Sequence, residues 1–236
     1  VKNVGSSTDV TRTCDCLSAL GAKITIENGN AEVYGIKKSF AVGEVSENFV
    51  GEVGEKVAVL NAGESGSTLR FLMPVVAALG IRAEFACDSG LLRRPMNEII
   101  NVLSAHGENI EKTSRGYVLS GKIRHGKYVI DGSVSSQFAS GLAFALPLLS
   151  GESMLEITGK PSSESYFDMT LNVLGQSGIK FKKTGYKSII FNKSDYSLPA
   201  ETIVSGDFSS AAFMLALGAL GGDVTVSGLS RTGSGG

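Results

Sequence analysis

Apolar positions along this chain follow two different rhythms. In Pro95–His106, Met96, Ile99, Ile100 and Leu103 recur at helical spacing, with Asn97, Glu98, Asn101 and Ser104 opposite. That spacing predicts a surface helix with one wet face, Pro95 taking its first position. Phe138–Leu149 and Ala211–Leu220 are apolar nearly all round, and such helices must be buried on every side. Short runs rich in β-branched residues, such as Lys23–Ile26, Glu32–Tyr34 and Ser188–Phe191, predict strands. The expected fold class is α/β, with inner helices enclosed by sheets and outer helices on the exterior.

The same two rhythms repeat. An outer half-unit (helix, glycine, strand, turn, strand) begins at Thr8, Pro95 and Tyr166, and its helices end at Gly21, Gly107 and Gly178. An inner half-unit, a hydroxyl-rich start followed by an apolar helix and a strand, begins at Gly66, Ser135 and Phe208 at a near-constant interval. Inner and outer units alternate along the chain. By this scheme the first inner helix is absent and Val1–Val4 is its trailing strand, so the chain starts within a repeat. By the family resemblance that the motifs below carry, residues 1–205 are expected to form one domain of three repeats and residues 206–230 the start of a second domain's first unit. Residues 231–236, closing on Thr232-Gly233-Ser234-Gly235-Gly236, resemble an engineered linker. Residues 37–58 form the one irregular insertion. The helix Ala211–Leu220, which by the same resemblance belongs to a second domain, is expected to fill the vacant inner slot, in its own chain or in a neighbour's.

Composition narrows the chemistry. Over 236 residues, 42% hydrophobic and 19% charged content supports a sizeable core. A net charge of −1 provides no global field for nucleic acid or an anionic membrane. Positive charge for an anionic ligand must therefore be local. Cys14 and Cys16 sit two apart on a helix and point apart, while Cys87 lies in an apolar run, so neither a disulfide nor a metal site is expected. His106 and His125 have no companions at ligand spacing and read as surface residues. No signal peptide or transmembrane stretch is evident, which makes a cytoplasmic location the expectation.

Each inner helix opens on small or hydroxyl residues: Ser65-Gly66-Ser67-Thr68, Ser133-Val134-Ser135-Ser136 and Asp207-Phe208-Ser209-Ser210. One such start is an N-cap. Several converging helix termini form an anion-binding rim, because one terminus contributes only about 0.3–1 kcal/mol toward a negative charge. Arg70 lies one turn into an otherwise apolar helix, where its planar fork suits a carboxylate or phosphate. Arg93-Arg94-Pro95 precedes an outer helix, and Gln137 adjoins two serines.

Ser65-Gly66-Ser67-Thr68-Leu69-Arg70, Arg94-Pro95, Ser135-Ser136-Gln137, Ser163-x-x-Tyr166 and Gly206-Asp207-x-Ser209-Ser210 occur in the order and approximate spacing of 5-enolpyruvylshikimate-3-phosphate synthases. The resemblance extends to about Ser230. It implies a shikimate-pathway transferase of aromatic amino-acid biosynthesis, with two domains of three βαβαββ units each. Such an enzyme moves the enolpyruvyl group of phosphoenolpyruvate to the 5-hydroxyl of shikimate 3-phosphate, releases phosphate, and needs no metal or organic cofactor. By resemblance, Ser135, Ser136, Gln137, Ser163 and Tyr166 are shikimate-3-phosphate contacts. Gly66, Arg94 and Gln137 belong to the phosphoenolpyruvate side, which is also the glyphosate site of the family, and Ser67 and Arg70 support it.

The resemblance also implies that a glycine-serine-lysine-serine segment lies before Val1. The half with the catalytic aspartate, glutamate and lysine lies after Arg231. No catalytic acid–base pair is present in the chain itself, and Asp207 reads as a helix cap. The expected partners are therefore the two small-molecule substrates and the missing half, with binding but no turnover. Glu64 stands where many members have asparagine, so a carboxylate either faces the rim or turns away; Glu164 and Ser165 replace a basic residue and a proline. UDP-N-acetylglucosamine enolpyruvyl transferases are the nearest alternative, but their usual cysteine is missing from Ser89–Arg94. A noncatalytic anion-binding module is the other.

Overall fold

The computed structural model describes residues 1–36, 57–160, 164–185 and 187–229. The insertion expected at 37–58 falls almost wholly outside this set, as do Ser163 and the linker at 231–236.

Two complete repeats carry the architecture. The first runs β3 (Ala58–Gly63), α2 (Gly66–Leu79), β4 (Ala83–Cys87), the short α3 (Ser89–Leu92), α4 (Asn97–Ala105), β5 (Ile110–Lys112) and β6 (Gly116–Leu119). The second runs β7 (Lys127–Asp131), α5 (Ser136–Ala145), β8 (Ser153–Thr158), α6 (Glu164–Gln176), β9 (Phe181–Thr184) and β10 (Ser188–Phe191), with a 3-10 turn at Leu146–Leu148 extending α5. Both sheets have the same order, β3-β4-β6-β5 and β7-β8-β10-β9. In each, the first two strands are parallel across the inner helix and the rest are antiparallel. This is the βαβαββ unit that the family resemblance implies.

The earlier repeat is built from both ends of the chain. Its outer half is α1 (Thr8–Ala19) followed by the hairpin β1 (Lys23–Glu27) and β2 (Asn30–Tyr34). Lys2 bridges Asn30 in antiparallel fashion and Ile203 in parallel fashion. The Lys2 amide donates to the Thr202 carbonyl at 2.7 Å and the Val204 amide donates back to Lys2 at 3.0 Å. Residues 202–204 thus hold the place that β3 and β7 hold in the complete repeats.

Burial separates inner from outer helices. Leu69, Met73 and Val76 of α2, Phe138 and Leu142 of α5, and Leu146 are fully buried. The outer helix α4 buries Ile99 and Leu103 and leaves Asn97, Asn101 and Ser104 wet. Helices α2 and α5 approach closely because Gly141 has no side chain: a Cβ there would collide with the Arg70 carbonyl. Pro74 supplies no amide to that carbonyl, its normal helical partner, so the oxygen is free to face the neighbouring helix.

Two expectations need correcting. Helix α4 begins at Asn97 rather than Pro95; buried Met96 is its cap residue and accepts from the Ile100 amide. More consequentially, the last inner-type helix, α7 (Phe208–Ala219), buries only Ala211 and exposes Phe213 (77%), Met214, Leu215 and Leu217. It does not fill the vacant slot of its own chain. On the first sheet, paired Ile24 and Val33 share a face with Ile26 and Ala31, and Ile26 and Val33 are exposed.

Candidate anion-binding site

The N-terminal ends of α2 and α5 lie side by side beyond the carboxyl ends of β3 and β7. Each is capped by its own serine. The Ser65 hydroxyl accepts from the Thr68 amide at 3.3 Å, and the Ser135 hydroxyl accepts from the Gln137 amide at 3.3 Å. Ser65 also shares its hydroxyl with those of Ser67 (3.2 Å) and Thr68 (2.7 Å). Thr68 in turn meets Thr13 of α1 at 2.8 Å, tying the earlier repeat to this rim.

One contact joins the two inner helices at the rim. Arg70 donates from Nη1 to Gln137 Oε1 at 2.8 Å. Because arginine only donates, the amide oxygen of Gln137 must face it, which leaves the NH₂ group available to an acceptor elsewhere. The Arg70 guanidinium lies 5.3 Å from the centre of the Phe138 ring, and its Nε is buried without a protein partner. Burial, with the charge of Arg94 second, lowers its pKa from the usual arginine value. Two like charges at one rim favour an anion between or beside them.

Arg94 reaches the rim from the segment after α3. A Cβ on Gly66 would stand 2.8 Å from Arg94 Nη1 and 3.8 Å from Arg70 Nη1, so both guanidinium groups face the bare Cα of Gly66. Glu64 does not turn away. Its Oε1 accepts from the Gly90 amide at 2.9 Å, and its Oε2 lies 3.7 Å from Arg94 Nη2. A further cation is Arg12 of α1: a Cβ on Gly63 would lie 2.9 Å from its Nε. Nothing in the local pattern marks Arg12, since the contact is made between repeats.

Gly66, Ser67, Arg70, Arg94, Ser135, Ser136 and Gln137 are therefore brought to one region. Tyr166 is half exposed in the first turn of α6, which the Ser140–Thr170 hydroxyl contact (2.8 Å) ties to α5. Ser163 lies outside the described residues. At the third hydroxyl-rich start both carboxylate oxygens of Asp207 cap α7, accepting from the Ser209 and Ser210 amides. Among the described residues no His/Cys/Asp/Glu cluster is suited to a metal ion. Burial pushes the Cys16 thiol up to about 12 and that of Cys87 up to about 11, which makes both poor nucleophiles. His106 is less a surface residue than expected: it stacks on Tyr128, with its ring nitrogens 2.8 Å and 3.0 Å from the carbonyls of Val102 and Lys127.

Repeated βαβαββ units, buried inner helices and a cationic rim at their N-terminal ends define a protein of the enolpyruvyl-transferase fold class. The chain belongs to the EPSP synthase family (3-phosphoshikimate 1-carboxyvinyltransferase), whose sequence pattern matches residues 1–234. It is 37% identical over 232 residues to the 3-phosphoshikimate 1-carboxyvinyltransferase of Clostridium kluyveri, covering 97% of this chain and 51% of that protein. The enzyme of the same name from Clostridium acetobutylicum is 33% identical over 228 residues, 95% of this chain and 50% of that one. The solved structure of EPSP synthase from Acinetobacter baumannii superposes with a TM-score of 0.67 at 21% identity, covering 86% of this chain and 43% of the other. The chain thus spans about half the length of the curated relatives it matches. Among the described residues no helix is long and apolar enough to cross a membrane.

Proposed function

We propose that this chain forms one half of a site that transfers the enolpyruvyl group of phosphoenolpyruvate to the 5-hydroxyl of shikimate 3-phosphate, releasing phosphate. The observation that carries this reading is the Arg70–Gln137 contact at the joined ends of α2 and α5, with Arg94 facing Gly66 beside it. Both substrates are multiply anionic, and these groups are donors. Ser135, Ser136, Gln137, Ser163 and Tyr166 take shikimate 3-phosphate, while Arg94, the Gly66 backbone and Gln137 take the phosphate or carboxylate of phosphoenolpyruvate. Ser67 and Arg70 hold the rim in shape.

The reaction adds the 5-hydroxyl oxygen to C2 of phosphoenolpyruvate while a proton reaches the methylene carbon. Loss of a proton and phosphate then restores the double bond. An acid and a base must lie within hydrogen-bond reach of those atoms. Glu64, a carboxylate at the rim, is engaged by Gly90 and Arg94. The chain on its own therefore binds without turning over, and saturating both substrates yields no phosphate above the uncatalysed background.

Titration calorimetry with shikimate 3-phosphate tests the assignment. Gln137→Ala removes a hydrogen bond to a charged group, worth about 1.5–3 kcal/mol, and weakens binding roughly ten- to a hundredfold. Arg94→Ala has the smaller effect on this ligand. A Gln137→Ala chain that binds like the parent, or no binding by the parent, overturns the reading.

A further inference from the structure

We propose that Glu64 is a built-in counter-anion for Arg94, which an incoming phosphate or carboxylate must displace; the proposal rests on the rim being the phosphoenolpyruvate side. The geometry is specific. Glu64 follows β3 directly and precedes the Ser65 cap, so its backbone is fixed by the start of α2. Its carboxylate lies over Gly90, whose amide it binds at 2.9 Å. A Cβ at position 90 would stand 2.5 and 2.6 Å from the two carboxylate oxygens, so glycine there makes room for them. One oxygen is thereby anchored. The other faces Arg94 Nη2 at 3.7 Å, longer than a strong charge-assisted hydrogen bond, in a half-exposed pair.

Such a pair is held in place but weak. Its second guanidinium nitrogen, Nη1, lies over Gly66. An anion arriving at Gly66 thus meets a guanidinium already partly neutralised. Arg70, the other cation there, already gives its Nη1 to Gln137. Glu64 consequently does two separable things: it pins the α3 segment through Gly90, and it lowers the attraction of Arg94 for anions. Specificity follows, because only a ligand with enough charge to compete for Arg94 gains from it.

Glu64→Gln separates the two. The amide oxygen still accepts from Gly90, while the negative charge is gone. Titrated with phosphoenolpyruvate, the Glu64→Gln chain binds about two- to fivefold tighter than the parent, the range expected for releasing an exposed charge pair. Shikimate 3-phosphate affinity stays the same within error. In an Arg94→Ala background the gain disappears, a coupling that a purely structural glutamate would not give. Glu64→Ala loses the anchor as well, so its Gly90 amide exchanges with solvent faster than in the parent or in Glu64→Gln.

Phosphoenolpyruvate affinity that is unchanged or lower in Glu64→Gln overturns the proposal, as does a gain that persists without Arg94. Phosphoenolpyruvate binding absent from both parent and variant overturns it too, since releasing Arg94 then gains nothing. Loss of shikimate 3-phosphate binding alone would instead count against the broader substrate assignment and leave the role of Glu64 standing.

Discussion

Gly66 has no side chain where two guanidinium groups meet, and a methyl group there tests how tightly the rim is drawn. The clash would be with the tip of Arg94, a flexible side chain, rather than with backbone. Gly66→Ala therefore leaves the fold intact and displaces the cation. Phosphoenolpyruvate affinity drops about three- to tenfold while the melting temperature moves by no more than about 2 °C. Calorimetry paired with a thermal melt checks both halves. Glu108 offers a different residue-scale test. It is buried (4% exposed), accepts from the Gly121 and Asn109 amides through Oε1, and leaves Oε2 without a partner. Burial raises its pKa above the ordinary carboxylate value despite those bonds. A raised carboxyl pKa favours the protonated, low-pH form of the fold, so stability declines as pH rises through it. Between pH 4 and 7 the parent's melting temperature should fall relative to that of Glu108→Gln, whose side chain does not titrate. At this scale the hydroxyl caps and the arginine inside an apolar helix were legible in the sequence. The direction of Glu64 was not, because it depends on where Gly90 comes to rest.

At the scale of elements, the close approach of α2 and α5 rests on Gly141 and on the carbonyl that Pro74 leaves unpaired. Gly141→Ala has nowhere to place its methyl except against Arg70 backbone. The helices must separate, at a cost of about 1–3 kcal/mol, or roughly 3–10 °C in melting temperature for a chain of this size. Because Arg70 and Gln137 sit on the two sides of that seam, anion affinity falls along with stability, unlike in Gly66→Ala. The apolar-all-round rhythm correctly marked α2's neighbour α5 as enclosed, and the one-sided rhythm correctly marked α4 as outer. The same rhythm failed for α7. Periodicity reports what a helix needs to bury and says nothing about whether the covering partner is present, and Phe213 and Leu217 of α7 stand in solvent. The boundary at Pro95 was missed for a local reason: buried Met96 is anchored in the core and starts the helix two residues later than proline preference suggests.

The whole molecule is organised by a strand that returns. Residues 202–204 complete the first sheet beside Lys2, whereas α7 beyond them buries almost nothing. Ending the chain after Ser205 should thus change the melting temperature by no more than about 2 °C. Ending it after Leu198 removes both backbone bonds to Lys2 and the Asn3–Val204 bond, and should cost roughly 2–4 kcal/mol of stability, read as a lower melting temperature. Comparative melts of the two shortened chains decide this. Repetition in the sequence indicated three units and their order; it did not show that the first is finished by the last strand, because one bridge of that kind leaves no periodic signal.

That closure has a consequence for how the polypeptide comes into being. Asn3 and Val204, hydrogen-bonded in the folded protein, are 201 residues apart in sequence. At about 5–20 residues per second, a ribosome leaves Asn3 waiting roughly 10–40 s for its neighbour. Meanwhile the two self-contained repeats, each local in sequence, can assemble. Of the three repeats described, the earliest translated is the one completed last, and the Lys2 segment spends that interval with an open edge, the moment at which a chaperone or a mispaired strand would find it.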